Sequence, residues 1–226
     1  MLSEHTAVTR RRGVKLAVLS SYTTTQFVSM LRLAAMRHGI GLEIYECLYG
    51  QYRQEILDPD SPLYRFGPDV VVLATHAGDL ALPEFSETPH QAIEAECARW
   101  TSLWRTLAER CDARIIPHNF AVPGTTALGH LAVRTPGALH TMTHALNAAL
   151  GEASGNAVSI VDCERLAGQF GKARWFDDRY WFISKQAVAL DALPLLANHT
   201  VAILAAVLGL SRKCLVMDLD NTLWGA

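Results

Sequence analysis

The sequence predicts an α/β fold of three layers, α/β/α, in which helices cover both faces of a mostly parallel sheet of five strands. Short segments rich in Val, Ile and Leu alternate with longer segments whose apolar residues recur at helical spacing. Repeated alternation of this kind favours parallel strands joined by helices. The 226 residues are enough to bury a substantial core without disulfide bonds.

The first half of the chain begins this alternation. Residues 14–20 are apolar and β-prone, and in residues 23–39 apolar side chains recur at helical spacing between a threonine cap and Gly39. Residues 41–46 predict a second strand. The Val/Leu run within residues 68–75 is typical of a strand that is covered on both faces.

The second half of the chain continues the alternation of strands and helices, and its last helix is strongly apolar. The predicted elements are a helix at 89–112, a strand at 113–120, a helix at 136–152 with Pro136 near its start, a fifth strand at 157–162 and a helix at 189–209. Pro194, Asn198 and His199 interrupt the last helix, whose apolar segment is short for a membrane span. We therefore predict a buried helix there.

Charge and cysteine usage exclude several kinds of partner and compartment. Lys and Arg total 20 against 22 Asp and Glu, which gives a net charge of −2. This charge predicts no basic surface that would bind nucleic acid or an acidic membrane. The five cysteines are scattered and form no C-x-x-C pair, which indicates free thiols in a reducing compartment. We expect a cytoplasmic protein that binds neither nucleic acid nor membrane.

Polar side chains follow three of the predicted strands at the points where the strands end. Ser20 and Ser21 follow the first strand, His76 follows the third, and His118 and Asn119 follow the fourth. Because ligands of parallel α/β sheets bind outside the carboxyl ends of the strands, these residues are candidates for a site. Asn119 is either part of such a site or a turn residue that bonds the backbone.

The chain ends in a second pattern. A polar linker near residues 208–212 separates the last helix from an apolar strand at 213–219, and this strand leads into Asp218, Asp220 and Thr222 with the spacing D-x-D-x-T. We divide the chain into a disordered tail (1–13), one large domain (14–210) and the truncated start of another (211–226). The alternative is an Asp- and Asn-rich turn without chemistry.

The strand followed by D-x-D-x-T resembles motif one of the haloacid-dehalogenase superfamily of phosphotransferases. The resemblance implies that Asp218 attacks phosphorus, that Asp220 is the general acid and base, and that both aspartates hold Mg²⁺. It also implies a Lys, a Ser or Thr and further carboxylates downstream of the motif, and the sequence contains none of them after Thr222. We therefore expect this chain alone to be inactive as a phosphatase.

Four segments together resemble FkbH-like proteins. They are VLSSYTTTQF (18–27), YGQYRQEILDPDS (49–61), ARWFDDRYWFISKQ (173–186) and SRKCLVMDLDNTLWG (211–225). The resemblance implies an SGNH-hydrolase-like domain with a flavodoxin-like sheet, followed by a haloacid-dehalogenase-type domain. It implies a protein that takes the glyceryl group of 1,3-bisphosphoglycerate, removes phosphate and loads the group onto an acyl carrier protein in the biosynthesis of polyketide extender or starter units.

That resemblance also implies the partners and the cofactor. The expected partners are an acyl carrier protein and a small phosphorylated three-carbon substrate, and Mg²⁺ is expected only with the complete second domain. Within the SGNH pattern, Ser21 stands at the nucleophile position, Ser20 where the family has Asp, and Gly50 where it has the oxyanion-hole glycine. Ser21 is either a nucleophile or a helix cap without chemistry.

The rest of the SGNH pattern is incomplete. His76 occupies the place of the expected oxyanion Asn, and Asp178 is followed three residues later by Trp181 instead of the family's His. His76 is either a substitute base for Ser21 or a loop residue with a structural hydrogen bond. Without a base a serine hydroxyl is a poor nucleophile, so we expect a degenerate hydrolase site that binds or positions a ligand.

Two further segments carry binding hypotheses. Arg53 either pairs with a phosphate or holds its own loop through a neighbouring carboxylate. Residues 175–185 concentrate aromatic and charged side chains, which suits a recognition surface or a loop packed over the sheet edge. Three functions remain open: a glyceryl-loading enzyme module, a docking module without chemistry, and an SGNH-type esterase or acyltransferase that uses Ser21.

Overall fold

The structure is a computed structural model that describes residues 12–210 of the chain. Its strands are β1 (Arg12–Ser20), β2 (Ile40–Glu46), β3 (Val70–Ala74) and β4 (Arg114–Pro117). They form one parallel sheet in the order β2-β1-β3-β4. The predicted α/β class and parallel sheet are confirmed, and β1 and β3 are neighbours.

Helices connect these strands. They are α1 (Thr25–Arg37), α2 (Tyr52–Leu57), α3 (Pro62–Phe66), α4 (Pro89–Arg110), α5 (Leu139–Ala153), α6 (Cys163–Phe170), α7 (Lys172–Trp175), α8 (Asp178–Ser184) and α9 (Leu193–Val207). The sequence pattern predicts none of the five short helices α2, α3, α6, α7 and α8, because segments of four to eight residues are too short to show a helical repeat.

The two central strands divide the core into two layers. In β1, Val14, Leu16 and Val18 pack with α1 and α9, whereas Ala17 and Leu19 pack with α4 and α5 on the opposite face. Every residue of β3 is buried, as expected for a strand covered on both sides. The three-layer architecture predicted from the sequence is therefore confirmed.

The predicted fifth strand is replaced by two isolated bridges. Residues 157–162 lie parallel to β4, with bridges from Ile115 to Val158 and from His118 to Val161. A regular ladder at this register would need a donor at residue 117, but Pro117 has no N–H. Pro117 accepts from the backbone N–H of Val161 and cannot donate, so the described sheet has four regular strands.

The apolar helix α9 belongs to the core, as predicted. Residues 190–207 are long and apolar enough for a membrane span by composition. However, Leu196, Ala197, Val201 and Leu204 are buried in the cluster that also contains residues of α1. The apolar character of α9 is therefore explained by its packing on the sheet.

Both predicted domain boundaries lie close to the limits of the described residues. β1 begins at Arg12, inside the predicted tail 1–13, and the Arg12 guanidinium donates to the Leu208 carbonyl at 2.8 Å. The chain therefore leaves α9 beside the amino end of β1, at the edge opposite the polar residues that follow the strands. The predicted strand at 213–219, with Asp218, Asp220 and Thr222, lies outside the described residues.

Two loops pair beside the carboxyl edge of the sheet and fix the start of α5, which begins later than the predicted residue 136. Phe85 and Ala138 form an antiparallel bridge, and the Ser86 N–H donates to the Gly137 carbonyl at 2.9 Å. A Cβ atom at Gly137 would lie 1.9 Å from the Ser86 carbonyl oxygen. The pairing therefore requires glycine at residue 137.

We expect Gly137→Ala to lower the free energy of unfolding by about 1–3 kcal/mol, because the added methyl group forces the paired loops apart. Urea unfolding followed by circular dichroism measures the change. Gly151→Ala is the matched control: its Cβ meets no atom within 4 Å and it lies in α5, so it should stabilise the chain by about 0.5–1 kcal/mol. Equal effects of the two substitutions would contradict the loop contact.

Candidate functional site

A cavity of about 270 Å³ opens where β1, β3 and β4 end. We call it the inner cavity. Thr75 and His76 line it from the end of β3, His118 and Asn119 line it after β4, and Tyr22 lines it after β1. The carboxyl edge of the sheet thus brings together residues from three strands, as parallel α/β folds require of their ligand sites.

His76 is held in one orientation by the turn that follows it. Its Nδ1 accepts from the Gly78 N–H at 2.8 Å, and its own backbone N–H donates to the Asp79 carboxylate at 3.1 Å. Because Nδ1 is an acceptor, the neutral ring carries its proton on Nε2. Burial lowers the pKa of His76, and the nearby Asp79 partly opposes this effect.

Side chains of α4 hold the turn at residues 77–79 in place. The Glu96 carboxylate, 3% exposed, pairs with Arg99 and accepts from the indole N–H of Trp100 at 2.9 Å. It also accepts from the Ala81 N–H at 3.2 Å, while Arg99 donates to the Asp79 carbonyl at 2.8 Å. A Cβ at residue 78 would lie 2.4 Å from the His76 ring. The position of His76 is therefore determined by buried contacts.

His118 and Asn119 form the floor on the β4 side. His118 is buried beneath the cavity, its Nε2 lies 3.2 Å from the Thr200 hydroxyl, and burial lowers its pKa to about 3. Asn119 donates to the Asp162 carboxylate at 2.9 Å and accepts from the Glu164 N–H at 3.1 Å. The side chain of Asn119 thus makes structural bonds at the start of α6, one of the two alternatives its sequence position left open.

The aromatic and charged segment 175–185 forms a wall of the inner cavity. Trp175, Asp178 and Trp181 line it, and the ring centroids of Trp181 and His76 are 4.8 Å apart in an edge-on contact. The indole of Trp181 thus packs against His76 on this wall.

Ser20 and Ser21 are buried and are not among the residues that line the inner cavity. Ser21 is 5% exposed, and its hydroxyl oxygen has no hydrogen-bond partner among residues 12–210. Ser20 is bonded through its N–H to the Cys47 sulfur at 3.2 Å. No described base is therefore bonded to Ser21, and its catalytic role stays a prediction that this geometry does not favour.

Gly50 and Arg53 are both exposed and lie outside the inner cavity. Gly50 has φ +69°, which explains a glycine before α2. Arg53 forms no ion pair with the described carboxylates Glu55, Asp58 or Asp60. The structure thus brings together His76, Asn119 and Asp178 but leaves Ser20, Ser21, Gly50 and Arg53 apart from them.

Three cavity residues have no place in the sequence prediction. Tyr22 and Cys163 line the cavity, and burial raises the pKa of both side chains, so both remain protonated near neutral pH. Gln186 also lines it and is 7% exposed. Tyr22 adjoins the predicted Ser21 and Cys163 directly follows the predicted strand 157–162, but a single Gln with no repeated spacing gives no signal in a sequence.

An outer cavity of about 650 Å³ adjoins the inner one. The two share Ala77, Gly78 and Pro123 among their lining residues. The outer cavity is mostly apolar and is bordered by the paired loops, with Phe85 and Leu139 among its lining. A ligand in the inner cavity can therefore extend into a second, wider space.

The described residues contain no group of three or more His, Cys, Asp or Glu side chains that could hold a metal ion. Cys47, Cys97, Cys111 and Cys163 are free thiols. Burial raises the pKa of each of these thiols, most strongly for Cys163. They are therefore poor nucleophiles near neutral pH.

Comparison with known proteins identifies both a family and a fold. The family described as FkbH, N-terminal domain, matches residues 15–205. The N-terminal part of the protein BF1531 from Bacteroides fragilis, which contains a phosphatase domain and is complexed with Mg, superposes with a TM-score of 0.80 at 24% identity. The match covers 96% of this chain and 58% of that structure, so this chain spans less than two thirds of it.

Hydrolases share the fold at lower similarity. A catalytic mutant of Axe2, an acetylxylan esterase from Geobacillus stearothermophilus, matches with a TM-score of 0.54 and 11% identity over 85% of this chain and 94% of its own. A putative GDSL-like lipase from Parabacteroides merdae gives 0.51 and 11% over 89% and 98%. These likenesses confirm the SGNH-like fold and nothing further. No curated protein matches the chain in sequence.

The buried His118 predicts how stability depends on pH. The pKa of His118 is lowered in the folded chain, so the unfolded state binds more protons below about pH 6.5. Stability is then lost as the pH falls from about 6.5 towards 3, with a slope from this group of about 1.4 kcal/mol per pH unit. Burial of His76 adds to the loss in the same direction.

Urea unfolding at pH 7, 6 and 5 measures this slope. We expect His118→Gln, which keeps a polar side chain near Thr200 but does not titrate, to reduce the slope averaged over pH 5–7 by about 1 kcal/mol per pH unit. His130→Gln removes an exposed histidine and should leave the slope as in the parent chain. An unchanged slope in His118→Gln would mean that His118 is not buried as described.

Proposed function

This chain belongs to the FkbH family, whose N-terminal domain it contains, and on that premise we propose that it is the ligand-positioning part of a glyceryl-loading protein. In this proposal the whole protein takes the glyceryl group of 1,3-bisphosphoglycerate, removes phosphate and transfers the group to an acyl carrier protein. Residues 14–210 position the substrate or the carrier, and a complete haloacid-dehalogenase-type domain performs the phosphoryl chemistry.

The observation that carries the positioning role is the composition of the inner cavity. His76, Asn119 and Asp178 line it, while the hydroxyl of Ser21 is buried outside it without a hydrogen-bond partner among the described residues. A ligand in the cavity therefore meets polar side chains but no activated nucleophile. This arrangement supports binding more strongly than ester hydrolysis.

The phosphoryl chemistry rests on the sequence of the last residues and on the family. Asp218 and Asp220 are paired carboxylates after an apolar segment, and oxygen donors of this kind suit Mg²⁺. In the proposal the thiol of the carrier displaces the C1 acyl phosphate, which leaves as phosphate, and Asp218 attacks phosphorus of the C3 phosphate ester. Asp220 protonates the departing C3 oxygen and then takes a proton from the water that hydrolyses the aspartyl phosphate. Bound Mg²⁺ would offset the repulsion between carboxylate and phosphate. The related Bacteroides fragilis structure with a phosphatase domain is complexed with Mg.

An esterase or acyltransferase that uses Ser21 is the second candidate, because the fold is similar to an acetylxylan esterase and a putative GDSL-like lipase. We expect no Ser21-dependent hydrolysis of p-nitrophenyl acetate by the 226-residue chain. Ser21→Ala and the matched control Ser29→Ala, which changes an exposed serine of α1, should release nitrophenol at the same rate as the parent. Hydrolysis that disappears only in Ser21→Ala would establish the esterase and contradict the positioning role.

Loading of a carrier protein tests the main proposal. The protein with its complete second domain is incubated with 1,3-bisphosphoglycerate, Mg²⁺ and a holo acyl carrier protein, and intact-protein mass spectrometry detects a carrier that has gained one glyceryl group. We expect Asp218→Asn to lower the loading rate by roughly 10⁴-fold or more, as loss of a nucleophile does in other covalent enzymes. Asp112→Asn, an exposed position before β4, should load normally.

If Asp218→Asn loads the carrier as fast as the parent, the assignment of Asp218 is wrong. If the parent does not load the carrier at all, the glyceryl-transfer function is wrong. In the latter case, retention of the carrier protein on the immobilised chain would favour the alternative of a docking module without chemistry.

A further inference from the structure

Gln186, which lines the inner cavity, carries a buried side-chain acceptor without a partner among the described residues. Gln186 is 7% exposed, and its Nε2 donates to the Gln26 side chain at 3.3 Å. Its carbonyl oxygen Oε1 is buried and has no hydrogen-bond partner among residues 12–210. A buried polar atom without a partner costs free energy. A ligand that donates a hydrogen bond to Oε1 would recover that cost.

Two further groups of the cavity can bond such a ligand, and both are uncharged. His76 carries its proton on Nε2, because Nδ1 already accepts from the Gly78 N–H. Tyr22 keeps its hydroxyl proton, because burial raises its pKa, and that hydroxyl makes no hydrogen bond within the described part of the chain. The cavity thus offers an amide acceptor, an imidazole donor and a hydroxyl group.

The cavity lacks the cations by which proteins usually bind phosphate. None of its lining residues in the described range is a Lys or an Arg. Burial lowers the pKa of His118 to about 3 and also lowers that of His76, so both imidazoles are neutral at pH 7. Asp177 and Asp178 line the wall and, although Asp177 is paired with Arg179, they disfavour an anion.

Helix N-termini are the other common phosphate site, and the N-terminus of α6 is not free at this cavity. α6 begins at the cavity with Cys163, but its first amides are already occupied. The Cys163 N–H donates to the Val161 carbonyl at 3.0 Å, the Glu164 N–H donates to Asn119 at 3.1 Å, and the Arg165 N–H donates to Asp162 at 3.1 Å. An anion at this helix end would find no free donor in the first turn.

We propose that the inner cavity binds an uncharged ligand with hydroxyl or amide groups and does not bind phosphorylated compounds. The ligand donates to Gln186 Oε1, accepts from His76 Nε2 and exchanges a hydrogen bond with the Tyr22 hydroxyl. This inference rests on the proposed positioning function and sharpens it: the cavity receives the uncharged part of the substrate or product, and a phosphate group is held elsewhere in the whole protein.

Two three-carbon probes that differ in charge test the ligand class. Glyceramide carries two hydroxyls and an amide without charge, whereas 3-phosphoglycerate carries a carboxylate and a phosphate. Each is titrated into the 226-residue chain at pH 7, and saturation-transfer NMR of the probe gives its dissociation constant. We expect saturable transfer to glyceramide and none to 3-phosphoglycerate.

Variants place the binding in the inner cavity. We expect Gln186→Leu to weaken glyceramide binding about tenfold, because one hydrogen bond to a buried acceptor is lost. Tyr22→Phe removes only the hydroxyl and keeps the buried ring, so this variant should stay folded. We expect it to bind glyceramide several-fold more weakly than the parent. Gln169→Leu makes the matched change at an exposed glutamine of α6 and should bind as the parent does. Circular dichroism confirms that each variant is folded.

The outcomes separate this inference from the proposed function. The inference would be overturned if 3-phosphoglycerate competes with glyceramide and binds more weakly to Gln186→Leu. It would also be overturned if glyceramide does not bind, or if its binding is the same in Gln186→Leu and Tyr22→Phe as in the parent. Carrier loading by the whole protein would be untouched by any of these results. If loading fails while glyceramide binds in a Gln186-dependent manner, the function is wrong and the cavity inference stands.

Discussion

The burial of β3 on both faces is the constraint on which the rest of the structure depends. A strand covered by helices on both sides can carry only apolar side chains, and β3 has none that reaches solvent. Polar residues can therefore appear only where the strand ends, and in a parallel sheet all strands end at the same edge. Thr75 and His76 after β3 thus meet Tyr22 after β1 and Asn119 after β4.

The same edge shows how a hydrolase-like fold can hold a site without hydrolase geometry. The fold is shared with esterases at 11% identity, but here Trp181 packs against His76 and the Ser21 hydroxyl is buried without a partner among the described residues. A serine nucleophile needs a bonded base and access to its substrate. Because the described structure provides neither at Ser21, the cavity is better suited to holding a ligand than to cleaving one.

The surroundings of His76 explain how its ring is held in one orientation. The Glu96 carboxylate holds Arg99, the Trp100 indole and the Ala81 amide at once, and Arg99 holds the turn that positions His76. Bonds of charged groups in a buried place are strong and directional. The chain leaves α9 beside Arg12, at the opposite edge.

The sequence by itself determined the fold class, the order of the four long helices and four regular strands, the burial of α9 and the edge at which polar residues collect. Each of these features follows from the periodicity and apolar character of neighbouring residues. It led to the FkbH family, and it predicted His76 and Asp178, which the fold brings to one cavity, as site residues. It could not reveal that Pro117 would reduce the fifth strand to two bridges, since that depends on which residue Pro117 faces. It also gave no signal for Gln186, whose place in the cavity arises only from residues far apart in the chain.

Only the tertiary structure decided that Ser21 is buried outside the lining of the cavity, that Arg53 lies outside it, and that the amides of α6 are already bonded. Each of these facts depends on contacts between distant segments, which local patterns do not encode.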